Sequence, residues 1–266
     1  MGKEEIRAFY NHDVQKEWDR LERHPIEWIL TTKVLDGIIQ AGESVLDLGG
    51  GPGRYSLHYA AKGCPVTLVD LSEGNINLAK EKAMEADLEI EAMQGDALQA
   101  PSLLAGQQFD HVLVMGPLYH LLNEEDRKTV VRNTLALTKP GGRVYFSFLL
   151  MFSGVVYYMS ELPEMITGSE ETPFLNAVKR GNSYGGMAFT EAFFIDQNEI
   201  LPFMEPFALQ DQHLFGQEGI LAQFERQWKL QTPEVQQAFI DLAVPLLERP
   251  EFLSYSCHAM LHGKKP

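Results

Sequence analysis

The sequence predicts an α/β fold: one doubly wound, mostly parallel sheet, with N-terminal helices before it and a helical, aromatic cap insertion after its fifth strand. Three observations carry this prediction. Between residues 43 and 149, short apolar runs alternate with amphipathic helical stretches. Each of the first four apolar runs ends at a glycine or an acid. The first run, "SVLDL", passes directly into "GGGPG" at 49–53, a turn whose backbone needs residues that tolerate positive φ.

The elements follow in order. Residues 1–40 read as helices, with Trp18, Trp28, Ile29 and Leu35 at roughly helical spacing and a break at Pro25. Ser44–Leu48 is the first strand, and Tyr55–Lys62 is the helix after the glycine turn. Val66–Val69 is the second strand, closing at Asp70. Ser72 then caps a helix reaching about Met84, with Ile76, Leu78, Ala79 and Ala83 inward. Leu88–Met93 and Phe109–Met115 are the third and fourth strands. Asn123 opens a helix that "KPGG" stops after Leu137, and Arg143–Leu149 is the fifth strand. Residues 151–205, rich in aromatics, Met, Gly and Pro, read as a substrate-cap insertion over the sheet. Residues 206–266 supply two late strands, at 207–215 and 254–262, with helices between them. The whole reads as a single domain: helices 1–40, ligand-binding core 41–150, cap 151–205, late elements 206–266.

Composition bounds the function. The chain has 266 residues, 45% hydrophobic and 22% charged, enough to bury a substantial core. Its formal charge of −15 repels phosphate backbones, so no nucleic-acid partner is expected. Two isolated cysteines, Cys64 and Cys257, make neither a disulfide framework nor a zinc site, and a reducing cytoplasm is the expected location. "VYFSFLLMFSGVVYYM" at 144–159 falls short of the roughly 20 residues a bilayer span needs, so no membrane partner is expected. A monomer and a homodimer both fit.

In doubly wound sheets, ligands lie at the carboxyl ends of the strands. Here those ends carry Asp47 and the glycine turn, Asp70, Gly95-Asp96-Ala97, and Met115-Gly116-Pro117-Leu118-Tyr119-His120. A dinucleotide fingerprint wants a third glycine where Arg54 or Ser56 stands, and Pro52 with Arg54 crowds a pyrophosphate. S-adenosylmethionine carries no phosphate. It wants an acid near its ammonium, an acid on its ribose and a polar group at its adenine edge, and Asp47, Asp70 and Asp96 stand where those roles fall. Each acid taken alone also reads as a helix cap or turn residue.

The motifs "VLDLGGGPG", "VTLVDLS", "GDA", "FDHVLVMGPLYHL" and "KPGGRVYF", over about residues 40–150, resemble the class I S-adenosylmethionine-dependent methyltransferase family, whose sheet is Rossmann-like. The resemblance implies that Gly49, Gly50 and Gly51 line the cofactor tail, and that Asp70 binds the ribose with Leu71 beside the adenine. It implies that Asp96 and Ala97 address the adenine amine and ring, and that Met115 makes a backbone contact. Met115 also reads as plain core.

On the acceptor side, Tyr119 and His120 follow the fourth strand, next to the reactive carbon. His120, titrating near neutrality, is the expected base or orienting group; the alternative is a histidine bonded to a nearby carbonyl. Tyr10, Trp18 and His24 are candidate lid residues, or else interface core. The aromatics of the insertion, among them Tyr157, Tyr158, Phe174, Tyr184, Phe189, Phe193 and Phe194, point to a small, partly apolar methyl acceptor, or to a second core. No metal is expected. Two other functions fit the fold: a non-catalytic S-adenosylmethionine-binding regulator and a nicotinamide-dependent oxidoreductase.

Overall fold

The computed structural model describes residues 14–187 and 191–266, so Tyr10 and Phe189 lie outside the described residues. Among the described residues, three helices precede the core: α1 (Val14–Trp18), α2 (Arg20–Arg23) and α3 (Pro25–Leu35). The core then alternates β1 (Val45–Leu48), α4 (Arg54–Ala61), β2 (Val66–Asp70), α5 (Glu73–Glu85), β3 (Glu91–Gln94), β4 (Phe109–Val114), α6 (Glu124–Leu137) and β5 (Thr138–Leu150). Strand order is β3-β2-β1-β4-β5, all parallel. The order reverses between β1 and β4, which opens a crevice at their carboxyl ends.

Alternation along the strands builds two cores. Leu46, Leu48, Val112, Val114, Val144 and Phe146 face α6, burying Val130 and Val131. Val45, Leu113 and Tyr145 face the opposite way, against Ile26, Leu30 and Leu35 of α3 and Tyr55 and Tyr59 of α4. A sheet covered on both faces has strands that are apolar throughout, as in "VLDL" and "VTLVD", where every residue is buried. The helix starts follow local chemistry. Ser72 Oγ accepts from the Asn75 N–H at 3.1 Å, and Asn123 Oδ1 from the Glu125 N–H at 2.8 Å.

Beyond β5 the sheet continues in two directions. β9 (His258–Lys264) lies antiparallel along β5 from Arg143 to Leu149 and pairs on its far side with β8 (Gln210–Gly216). The chain after β5 forms α7 (Met151–Glu161) and α8 (Thr172–Arg180) and then a hairpin, β6 (Tyr184–Met187) with β7 (Glu191–Ile195). β7 pairs with β5 only at Leu149 and Leu150. The sequence was expected to place this segment over the sheet; its hairpin instead extends the sheet past the carboxyl end of β5. Phe174, Ala192 and Phe194 bury there with Leu149 and Met151, a separate small core. The fifth strand also starts earlier than its apolar run, because Thr138 pairs with Phe109 ahead of a bulge. α9 (Gln197–Met204) buries Ile200 and Met204 in the first core, and α10 (Pro233–Ala243) buries Ile240 and Ala243 in the second.

Candidate active site

Glycine is required at specific points of the first turn. Gly49 sits at φ +75°, and a Cβ there would fall 2.3 Å from Pro117 Cγ. Gly50 lies directly over the Asp47 carboxyl, where a Cβ would meet Cγ at 2.3 Å. The turn is therefore pressed between β1 and the loop after β4, with its backbone toward the crevice.

Asp70 organises the neighbouring strand end. Its Oδ2 accepts from the Gly51 N–H at 2.8 Å, and its Oδ1 from the Ser72 N–H at 2.9 Å and Asn75 Nδ2 at 3.1 Å. Burial, the largest influence, raises its pKa despite these donors. Asp96 caps the turn Ala97–Gln99 by accepting from the Leu98 N–H at 2.9 Å. The turn-residue reading thus holds for both acids, and both line the crevice.

One cavity gathers the predicted residues. Asp47, Gly49, Gly50, Gly51, Asp70, Leu71, Asp96, Ala97, Met115, Tyr119 and His120 all line it. Its walls fit the S-adenosylmethionine expected from the sequence. Among the described residues, Asp47 Oδ1 and Asn75 Oδ1 are buried without a hydrogen-bond partner, two acceptors on cavity-lining residues that a ligand's N–H and O–H groups could satisfy. Asp47 is 1% exposed, and its Oδ2 accepts from Ser56 Oγ at 2.7 Å. Burial foremost, and the Asp70 carboxyl next, push its pKa up to about 6. An incoming ammonium would relieve both effects.

The acceptor side differs in detail from the expectation. The Tyr119 hydroxyl donates to the Met115 carbonyl at 3.0 Å, so that backbone oxygen serves the protein, while Met115 also packs against the second core. His120 Nδ1 faces the Glu191 carbonyl at 3.4 Å, and burial pushes its pKa down to about 4. A group that weakly basic is a poor proton acceptor at neutral pH. Trp18 and His24 do not line the cavity. Trp18 stacks on the Arg54 guanidinium at 4.1 Å, and the His24 side chain is 63% exposed beside Glu225. The N-terminal helices reach the cavity instead through Glu17 and Arg20. These two were not singled out, because charged residues on a short helix read as a solvated face. Arg20 is held by Glu17 at 3.0 Å and by both oxygens of buried Glu27 at 2.5 and 3.2 Å.

Sheet, glycine turn and acid-lined crevice together define an enzyme of the doubly wound class built for a nucleoside cofactor. Comparison with known proteins makes this specific. A family model described as a methyltransferase domain matches residues 45–142. A ubiquinone biosynthesis O-methyltransferase of Salmonella enteritidis is 30% identical over 205 residues, covering 77% of this chain and 76% of the relative. One from Stutzerimonas stutzeri is 34% identical over 134 residues, covering 49% of this chain and only 56% of that relative. The chain belongs to the class I S-adenosylmethionine-dependent methyltransferases, and S-adenosylmethionine is its cofactor. The magnesium protoporphyrin IX methyltransferase of Synechocystis, solved with bound SAH, shares the fold over the full length of both chains at 16% identity, with a TM-score of 0.57. The nicotinamide and non-catalytic readings are set aside by this membership.

Proposed function

We propose that the protein methylates a hydroxyl oxygen of a small, partly apolar acceptor in the cytoplasm. One observation carries the reading. The cavity that fits the cofactor is also lined by Tyr119, His120, Glu17 and Arg20. These give its acceptor side an aromatic ring, an imidazole and a guanidinium, a lining suited to a small molecule. The O-methyltransferase names of the relatives support oxygen as the atom modified. The acidic surface disfavours nucleic acid, and no helix among the described residues is long and apolar enough to cross a membrane.

When bound, S-adenosylmethionine supplies an electrophilic methyl on a sulfonium. The chain's own task is placement. Gly49 to Gly51 offer bare backbone to the cofactor tail, with Asp47 beneath it. Asp70 fixes the ribose, while Leu71, Asp96 and Ala97 bracket the adenine. Tyr119, tied to the Met115 carbonyl, is a rigid wall against which acceptor and methyl align. His120 serves to orient the acceptor, in keeping with the burial that lowers its pKa. The test is incubation with isotopically methyl-labelled S-adenosylmethionine and a panel of phenols, hydroxy acids, amines and thiols, read by mass spectrometry. Label on phenols or hydroxy acids is expected; label confined to amines or thiols would overturn the choice of oxygen.

A further inference from the structure

Methylating a hydroxyl requires somewhere for its proton to go, and His120 is poorly suited to take it. The structure offers a second histidine on the same rim. His258 opens β9 and pairs with Leu149 near the carboxyl end of β5. Because β9 runs against its neighbours, its first residue lies at the ligand edge of the sheet. Glu218, just past the end of β8, grips His258 twice. One carboxylate oxygen meets Nδ1 at 2.7 Å, and the other accepts from the His258 backbone N–H at 3.0 Å. Glu27 lies 4.0 Å from the same Nδ1.

A carboxylate on Nδ1 fixes the tautomer and leaves Nε2 as the basic nitrogen. Among the described residues, no protein group bonds His258 Nε2. The imidazole stands beside Tyr119, ring centroids 5.9 Å apart, and Tyr119 lines the cofactor cavity. Arg20, on the other side of Glu27, lines it as well. His258 is thus one side chain away from the space assigned to the acceptor, and its side chain retains 17% exposure.

We propose that His258, oriented by Glu218, is the proton acceptor for the acceptor's hydroxyl; this rests on the hydroxyl reading above. The O–H bond breaks as its proton passes to Nε2 through one bridging water, and the oxygen forms a bond to the methyl carbon. The S–C bond breaks with its electron pair left on sulfur, giving neutral S-adenosylhomocysteine. The imidazolium then releases its proton to solvent. The charged groups facing His258 are Glu218, Glu27 and Arg20, and the Tyr119 ring packs beside it. Burial opposes the charged imidazole, but Glu218 and Glu27 outweigh it and hold the pKa above the ordinary value. The rate should therefore climb as pH rises through the His258 ionisation.

The experiment uses the full chain with S-adenosylmethionine and two probes, phenol and 1,2-dihydroxybenzene. His258→Ala should lower kcat on the order of 100-fold or more, leave the calorimetric Kd for S-adenosylhomocysteine unchanged, and regain rate with added imidazole. Glu218→Gln should move the acid limb of the pH–rate profile toward lower pH, a displacement that a purely structural contact would not produce. If the wild type methylates the probes and His258→Ala matches its kcat, the proposal falls while the hydroxyl reading stands. If His258→Ala loses rate and cofactor affinity together without imidazole rescue, His258 is structural and the proposal also falls. If the wild type labels only amines or thiols across the wider acceptor panel, the hydroxyl reading fails and takes the proposal with it.

Discussion

Asp47 gives the sharpest quantitative test. A carboxyl that ordinarily titrates near 3.9 is held in the folded protein at about 6. The native state therefore binds this proton more tightly than the unfolded chain does. Its stabilising contribution is fully present below about pH 4 and is lost as pH rises through about 6. The full difference is about 3 kcal/mol for a group this deeply buried. The perturbation is Asp47→Asn, which keeps the shape and removes the titration. Urea unfolding of the ligand-free protein at pH 4.5 and at pH 7.5 should show the wild type losing about 2 kcal/mol relative to the variant. The comparison of slopes cancels the other titrating groups, along with any fixed cost of the amide. Saturating S-adenosylhomocysteine should shrink the gap, because its ammonium offsets the buried charge. Parallel pH curves for wild type and variant would refute the argument that Asp47 is buried at a net electrostatic cost.

Three further outcomes follow from the same geometry. Asp70→Asn keeps a side chain of the same size between Gly51, Ser72 and Asn75 but loses the charge-assisted bonds to the ribose. Calorimetry should show the Kd for S-adenosylmethionine rising about 5- to 100-fold, equivalent to 1–3 kcal/mol. Gly49→Ala forces a Cβ to within 2.3 Å of Pro117 Cγ at φ +75°. It should cost about 1–3 kcal/mol in thermal unfolding and remove cofactor binding. Trp18→Ala deletes the ring stacked on Arg54, loosening α1 by about 1 kcal/mol; surface plasmon resonance should show S-adenosylhomocysteine leaving severalfold faster.

What the sequence revealed was what local chemistry determines. Ser72 and Asn123 announce helix starts because their side-chain oxygens bond N–H groups two or three residues on. The strands β1, β2 and β4 are readable as apolar runs because both sheet faces are covered. The predicted cofactor residues fall in one cavity because each sits within a few residues of a strand end, and the parallel sheet aligns those ends. What stayed hidden depends on distant partners. The hairpin of Tyr184–Met187 and Glu191–Ile195 contains Gly185 and Gly186, which weaken any strand signal; two rungs to Leu149 and Leu150 place it. The cluster of Arg20, Glu27, Glu218 and His258 joins both ends of the chain. Each member alone reads as an ordinary surface charge. His120 draws attention by its position after β4, whereas its environment, beside the Glu191 carbonyl and with the burial that lowers its pKa, is set by residues far along the chain.

The central claim is that the crevice formed by the turn at 49–53 and the ends of β2, β3 and β4 is where the cofactor binds and is oriented for transfer. A crystal structure of the protein with S-adenosylhomocysteine tests it most directly. The account predicts ribose hydroxyls on the Asp70 carboxylate, adenine between Leu71 and Ala97 near Asp96, and the amino-acid tail along Gly49 to Gly51 with its ammonium toward Asp47. A ligand seated elsewhere, or one whose ribose makes no contact with Asp70, would contradict it.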